Sequence, residues 1–96
     1  MGMSVETKAL KRAGIRRALA RTRKKLDETV ALLPEEGVIP FTYICHFNEV
    51  ARLMTRMRNL NITLAYLAGI TNKTQAVMYQ VTEPRISQIV KSVLYK

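Results

Sequence analysis

Tryptophan is absent from this 96-residue chain, and cysteine occurs once, at Cys45. One cysteine excludes an internal disulfide, and a reducing cytosol is the expected setting. No apolar run approaches the roughly 18 residues of a membrane span, so a membrane partner is not expected. Glycine (4) and proline (3) are scarce, which favours long helices with few breaks. Two Phe and four Tyr leave the core mainly aliphatic. Acidic residues are the other shortage: seven stand against sixteen Lys and Arg, a net charge of +9. In a small chain such an excess points to a polyanion as partner, nucleic acid first and an anionic membrane surface second. The length suits a single domain and excludes a two-domain enzyme.

Targeting motifs do not fit. Met1-Gly2 begins a myristoylation pattern, but Glu6 stands where Ser or Thr is required. The Arg-rich start is Lys-rich and Ser-poor, unlike an organelle transit peptide.

Residues 4–33 hold no proline and only Gly14, and strong helix formers dominate. A long basic helix is predicted there, capped by Ser4 and stopped by Pro34. Ile15, Leu19, Thr22, Leu26, Val30 and Leu33 step by three or four and define its apolar stripe. Nine of the sixteen basic residues fall between Lys8 and Lys25. This density suits phosphate contact, with Arg12, Arg16 and Arg17 as candidates, or a flexible arm, or a plain solvated face.

The tract Leu33-Pro34-Glu35-Glu36-Gly37-Val38-Ile39-Pro40 reads as a connection. A helical core is expected over 41–70, as a helix from about Thr42 to Arg58, a break at Asn59-Leu60-Asn61, and a short helix from Ile62 to Ala68 closed by Gly69. A short strand at Phe41-Thr42-Tyr43-Ile44 is the alternative for its start. Within this core Cys45 is expected to be buried and His46 to lie at the surface.

Residues 71–95 carry the strongest functional pattern. Thr71 caps a predicted helix over Asn72-Lys73-Thr74-Gln75-Ala76-Val77-Met78-Tyr79, and Thr82 caps a second one starting Glu83-Pro84-Arg85-Ile86-Ser87-Gln88-Ile89-Val90. Pro84 sits in a first turn, where a missing N–H has no helical partner to lose. This segment resembles the helix-turn-helix of small bacterial, phage and plasmid transcription regulators. The resemblance rests on small Ala76 at the helix crossing, Val81 at the buried turn position, and Ile86 and Ile89 as inner-face anchors. The family's turn glycine is replaced by Gln80, where a left-handed backbone costs about 1 kcal/mol. A different turn, or a rival register with Ala65 at the crossing and Gly69 in the turn, therefore stays open. The rival register buries Gln75 where an apolar anchor is needed.

The resemblance implies an all-α chain that binds double-stranded DNA as a homodimer on a near-palindromic operator, as a cytoplasmic repressor. It places Arg85 and Gln88 against guanine and adenine edges, with Glu83 and Ser87 beside them, and Glu83 serves equally as a first-turn dipole partner. Thr71, Asn72, Lys73, Thr82 and Lys91 become candidate phosphate contacts. No catalytic residue, metal site, cofactor or small-molecule effector is expected, because His46 lacks a second ligand or a catalytic partner. The alternatives are a basic helical protein that binds RNA or the ribosome, and a helical protein-interaction module.

Overall fold

The computed structural model describes residues 3–33 and 43–95, and among them it contains four helices and no strand. They are α1 (Val5–Val30), α2 (Ile44–Leu67), α3 (Asn72–Tyr79) and α4 (Glu83–Leu94). The protein is all-α. The predicted connection over 34–40 and the start of the alternative strand at Phe41-Thr42 lie outside the described residues.

Helix α1 starts where its chemistry predicts: Ser4 Oγ accepts from the Thr7 amide at 3.1 Å, satisfying one of the orphan donors of a first turn. Its buried positions are narrower than the predicted stripe. Ile15, Thr22 and Thr29 are buried, Leu19 and Leu26 are half-buried, and Val30 is exposed. The buried step is seven residues, and α2 answers with Leu53, Leu60 and Leu67 at the same step. Two long helices that meet along one seam repeat their contacts at this spacing. The threonines are accepted there because each hydroxyl donates to a carbonyl one turn back, Thr22 to Ala18 and Thr29 to Lys25, both at 2.8 Å.

Helix α2 corrects the expected break at Asn59-Leu60-Asn61, for it runs unbroken from Ile44 to Leu67. Asparagine is only a mild helix breaker, worth a few tenths of a kcal/mol. Leu60 and Ile62 are both buried, Ile62 completely, and each such burial stabilises by about 1.5–3 kcal/mol. Tertiary packing overrides the local preference. Thr63 also donates to Asn59 O at 2.9 Å, and the Arg58 guanidinium donates to Asn59 Oδ1 at 3.2 and 3.3 Å.

The expectation for Cys45 is reversed, and that for His46 is met in part. Cys45 is exposed and His46 half-buried, its ring 5.8 Å from that of Tyr43. Both lie in the first turn of α2, on the stretch of the hairpin farthest from α3 and α4.

Gly69 closes α2 as predicted, at φ 96°. Gly69 N donates to Tyr66 O and Ile70 N to Ala65 O, each at 3.0 Å, the paired bonds of a left-handed helix terminus. Helices α3 and α4 then fold back over the α1–α2 hairpin. The main core gathers Ile15, Leu60, Ile62, Leu67, Ala76, Ile86, Ile89, Val90 and Leu94. Lys11 Nζ donates to Leu94 O at 3.3 Å and so ties the first half of α1 to the end of α4.

The molecule is long, 51 × 27 × 20 Å, with a radius of gyration of 16.0 Å. A compact chain of this length has a radius near 12.5 Å. The difference reflects the far half of the hairpin, around Leu26–Val30 and Ile44–Met54, which extends beyond the core built by α3 and α4.

Candidate functional site

The site is built from two capped helix starts joined by one turn. Thr71 Oγ1 accepts from Thr74 N at 3.2 Å and its hydroxyl donates to Thr74 Oγ1 at 2.9 Å. Thr82 Oγ1 accepts from Arg85 N at 3.3 Å, which leaves its proton free to donate outward. Pro84 lies in the first turn of α4, where it removes no helical hydrogen bond.

Between the helices, Gln80 has φ 56° and ψ 44°. It is the single non-glycine residue with positive φ among the described residues. The turn is thus left-handed at the position expected for glycine, although glutamine occupies it. Val81 N donates to Ala76 O at 3.0 Å and Gln80 N to Val77 O at 3.3 Å, the same terminus geometry as at Gly69. Both candidate registers correspond to real turns, since Gly69 makes the one and Gln80 the other. Gln75 is nevertheless buried, at 1% exposure.

The inner faces follow the first register. Ala76, Ile86 and Ile89 are buried in the core. Val81, expected to be buried, is half-buried and packs against that core from the turn.

Outward, α4 presents Pro84, Gln88, Lys91 and Tyr95, spaced by three or four residues and all exposed. Arg85 is exposed on one flank of this stripe. On the other flank, half-buried Ser87 and exposed Glu83 border a groove against the start of α3, where Tyr66, Thr71, Asn72 and Lys73 form the opposite wall. Thr71, Asn72, Lys73 and Glu83 line one stretch of it, and Ser87 and Lys91 line an adjoining one that also touches Tyr66, Asn72 and Tyr95. Arg85 and Gln88 lie on the convex side of α4. Asn72 Oδ1 is shielded from solvent and has no protein hydrogen-bond partner.

Sequence reasoning missed Lys8, Tyr66 and Tyr95, which line the same groove. Tyr95 was findable, since it continues the Gln88–Lys91 step by one turn. Lys8 and Tyr66 were not, because only the packing of α1 and α2 on α4 brings them there. Arg16 and Arg17 are exposed on α1 and Arg12 is half-buried. Among the described residues no helix is long and apolar enough to cross a membrane. No protein-family model, curated protein or solved structure matches this chain.

Proposed function

We propose that the protein is a sequence-specific double-stranded DNA-binding transcriptional regulator, a repressor that acts as a homodimer on a near-palindromic operator in the bacterial cytosol. The observation that carries this reading is the α3–α4 unit. A capped eight-residue helix, a left-handed turn and a second capped helix bury Ala76, Ile86 and Ile89 in the core, and Arg85, Gln88 and Lys91 are exposed on the second helix. That combination resembles the helix-turn-helix of DNA-binding regulators, whose second helix enters the major groove.

In this reading α4 inserts its N-terminal half into the groove. Arg85 grips guanine O6 and N7 with two parallel hydrogen bonds, and Gln88 pairs with adenine N6 and N7. Each good pair contributes about 1–3 kcal/mol of discrimination. Lys73, Lys91, the Thr82 hydroxyl and the start of α3 at Thr71 and Asn72 hold phosphates, which position the helix without reading sequence. Glu83 accepts from cytosine N4 or repels the wrong register, and Ser87 beside it meets a base edge. Arg12, Arg16 and Arg17, within a chain of net charge +9, add attraction that is independent of sequence and sensitive to salt.

The test is capture of fragmented source DNA by the full chain at about 0.15 M salt, where non-specific binding is weak, followed by sequencing of the bound pool. Enrichment of one near-palindromic site is expected. A pool enriched for no sequence would overturn the reading.

A further inference from the structure

Four cations stand together on the edge of the hairpin where α4 docks. Arg21 and Lys25 on α1 and Arg52 and Arg56 on α2 line one depression over the seam, with buried Thr22 and Leu53 beneath them. Arg52 and Arg56 also line the next depression, whose far wall is Ser92 and Val93 of α4. The two depressions are thus continuous and join the hairpin cations to α4. Ser92 follows Arg85 and Gln88 at steps of three and four, and all three are exposed. The side of α4 that carries Arg85 and Gln88 is therefore the side that borders Arg52 and Arg56.

The charge of this band is unbalanced. All four cations are exposed. Among the described residues the one acid that pairs with them is Glu49, held by Arg52 and, at 3.8 Å, by Lys25. Arg21 and Arg56 make no hydrogen bond or ion pair among the described residues, so both guanidinium groups keep their donors for a partner. Arg12, Arg16 and Arg17 line neither depression.

We propose that this band holds the phosphodiester backbone of a DNA duplex beyond the stretch that α4 reads. The proposal rests on the reading of α4 as the helix that enters the major groove, and it names the contacts made by the hairpin.

Three observations select a phosphodiester strand as the occupant. Three of the four cations are arginines, whose planar fork matches two phosphate oxygens at once. The cations also come in pairs one helical turn apart, Arg21 with Lys25 and Arg52 with Arg56, a rise of about 6 Å. One strand of a duplex carries a charge about every 3.4 Å of axis, so each pair spans roughly two phosphates. A single small anion would satisfy one pair and leave the other, whereas a backbone meets both in succession. Finally, the band is continuous with the Arg85–Gln88 side of α4, so one duplex reaches both. The contact residues of α1 are then Arg21 and Lys25, while Arg12, Arg16 and Arg17 act on the duplex only at longer range.

The experiment is fluorescence-anisotropy titration of the full chain with a random-sequence duplex of about 30 base pairs, between about 0.05 and 0.2 M salt, which reads phosphate contacts without base readout. The wild type is compared with Arg21→Ala, Arg56→Ala, Glu49→Gln and Lys24→Ala. Lys24 is exposed and points about 100° round α1 from Lys25. Circular dichroism verifies retained helix in each variant. Every phosphate contact adds about 0.9 to the slope of log affinity against log salt, so this fourfold rise in salt costs about 3.5-fold per contact. Arg21→Ala and Arg56→Ala should each lessen the wild-type loss by about that factor. Lys24→Ala should lower the slope by less than about half as much. Glu49→Gln releases Arg52 and Lys25 and should steepen it.

Unchanged slopes in both arginine variants, or a Lys24→Ala slope lowered as much as theirs, overturn the proposal. A wild type without affinity for the duplex overturns it too, and binding to phosphatidylserine vesicles through Arg21 and Arg56 would then assign the band to lipid. Failure here is separable from failure of the DNA reading. Slopes that fall as expected in a protein that enriches no site sink only the sequence-specific reading, and an enriched site with unchanged slopes sinks only this proposal.

Discussion

Gln75 Nε2 donates to Ile62 O at 3.1 Å, across thirteen residues and inside the joint where α2 passes to α3. Ile62 lies within α2, whose own ladder already offers its carbonyl a donor. The glutamine is almost fully buried and its Oε1 has no protein partner. A polar side chain thus occupies a core position with half of its hydrogen-bonding capacity unmet, and its contribution is mostly volume. Gln75→Leu keeps that volume and removes the orphan acceptor, whose burial costs about 1–3 kcal/mol. Stability measured by urea unfolding should be unchanged or higher. Gln75→Ala leaves a cavity and should lower it by about 2 kcal/mol or more.

The two left-handed turns predict opposite responses to side-chain change. Gln80 holds φ 56° without being glycine, so Gln80→Gly should raise stability by about 1 kcal/mol. Gly69 has φ 96°, and a Cβ added there would meet no heavy atom within 4 Å. Gly69→Ala therefore meets backbone strain and no clash, and should lose about 1 kcal/mol. Thermal unfolding of both variants checks the pair, and a loss in Gln80→Gly would mean that the glutamine side chain makes a compensating contact.

Lys11 places its ammonium at the C-terminal end of α4, where the partial negative charge of the helix accumulates. Lys11→Met keeps the aliphatic stem and removes the charge. The expected loss is about 0.3–1 kcal/mol at low salt, shrinking as salt rises. Amide exchange in the last turn of α4 should quicken in this variant while α3 is unaffected.

Glu49 responds to pH. The hydrogen bonds from Arg52, at 2.9 Å from Nε and 2.5 Å from Nη2, lower its pKa from the ordinary value of 4.5, and the nearby charges of Arg52 and Lys25 act in the same direction. A carboxyl with a lowered folded-state pKa contributes stability that is full above the unfolded value and is lost as pH falls through the folded one. The difference in unfolding midpoint between wild type and Glu49→Gln should be constant at neutral pH and should diminish once pH drops below about 4.5. A difference that grows on acidification would contradict the assignment.

Arg85 and Lys91 separate reading from holding. In fluorescence-anisotropy titrations Arg85→Ala should reduce the preference for the captured site over a scrambled duplex by about 1–3 kcal/mol. Lys91→Ala should weaken both duplexes about equally and reduce the salt slope by roughly one. Exchanged phenotypes would mean that α4 enters the groove in another register.

What was legible in the sequence was local. Ser4, Thr71 and Thr82 announced three helix starts, because a hydroxyl accepting from the amide three residues on needs no distant partner. Gly69 announced a helix end for the same reason. Ile86 and Ile89 lie one turn apart on a single face of α4, whereas the pairing of that face with Ala76 on α3 came from the helix-turn-helix resemblance. The Gln80 turn was harder to read, because its backbone conformation is set by the helices it joins and not by glutamine's own preference.

The sequence by itself determined that the chain is helical, where three of its helices begin, and which faces of α3 and α4 are apolar. These follow from periodicity and capping, both interactions over one turn. The tertiary structure decided that α2 runs through Asn59-Leu60-Asn61, that Thr29 and Gln75 are buried while Cys45 is exposed, and that Lys11 closes α4. It also decided which edge of the hairpin the other described helices leave uncovered. Each of these depends on which helix lies alongside, and burial against a neighbour contributes more free energy than the local preferences it overrides.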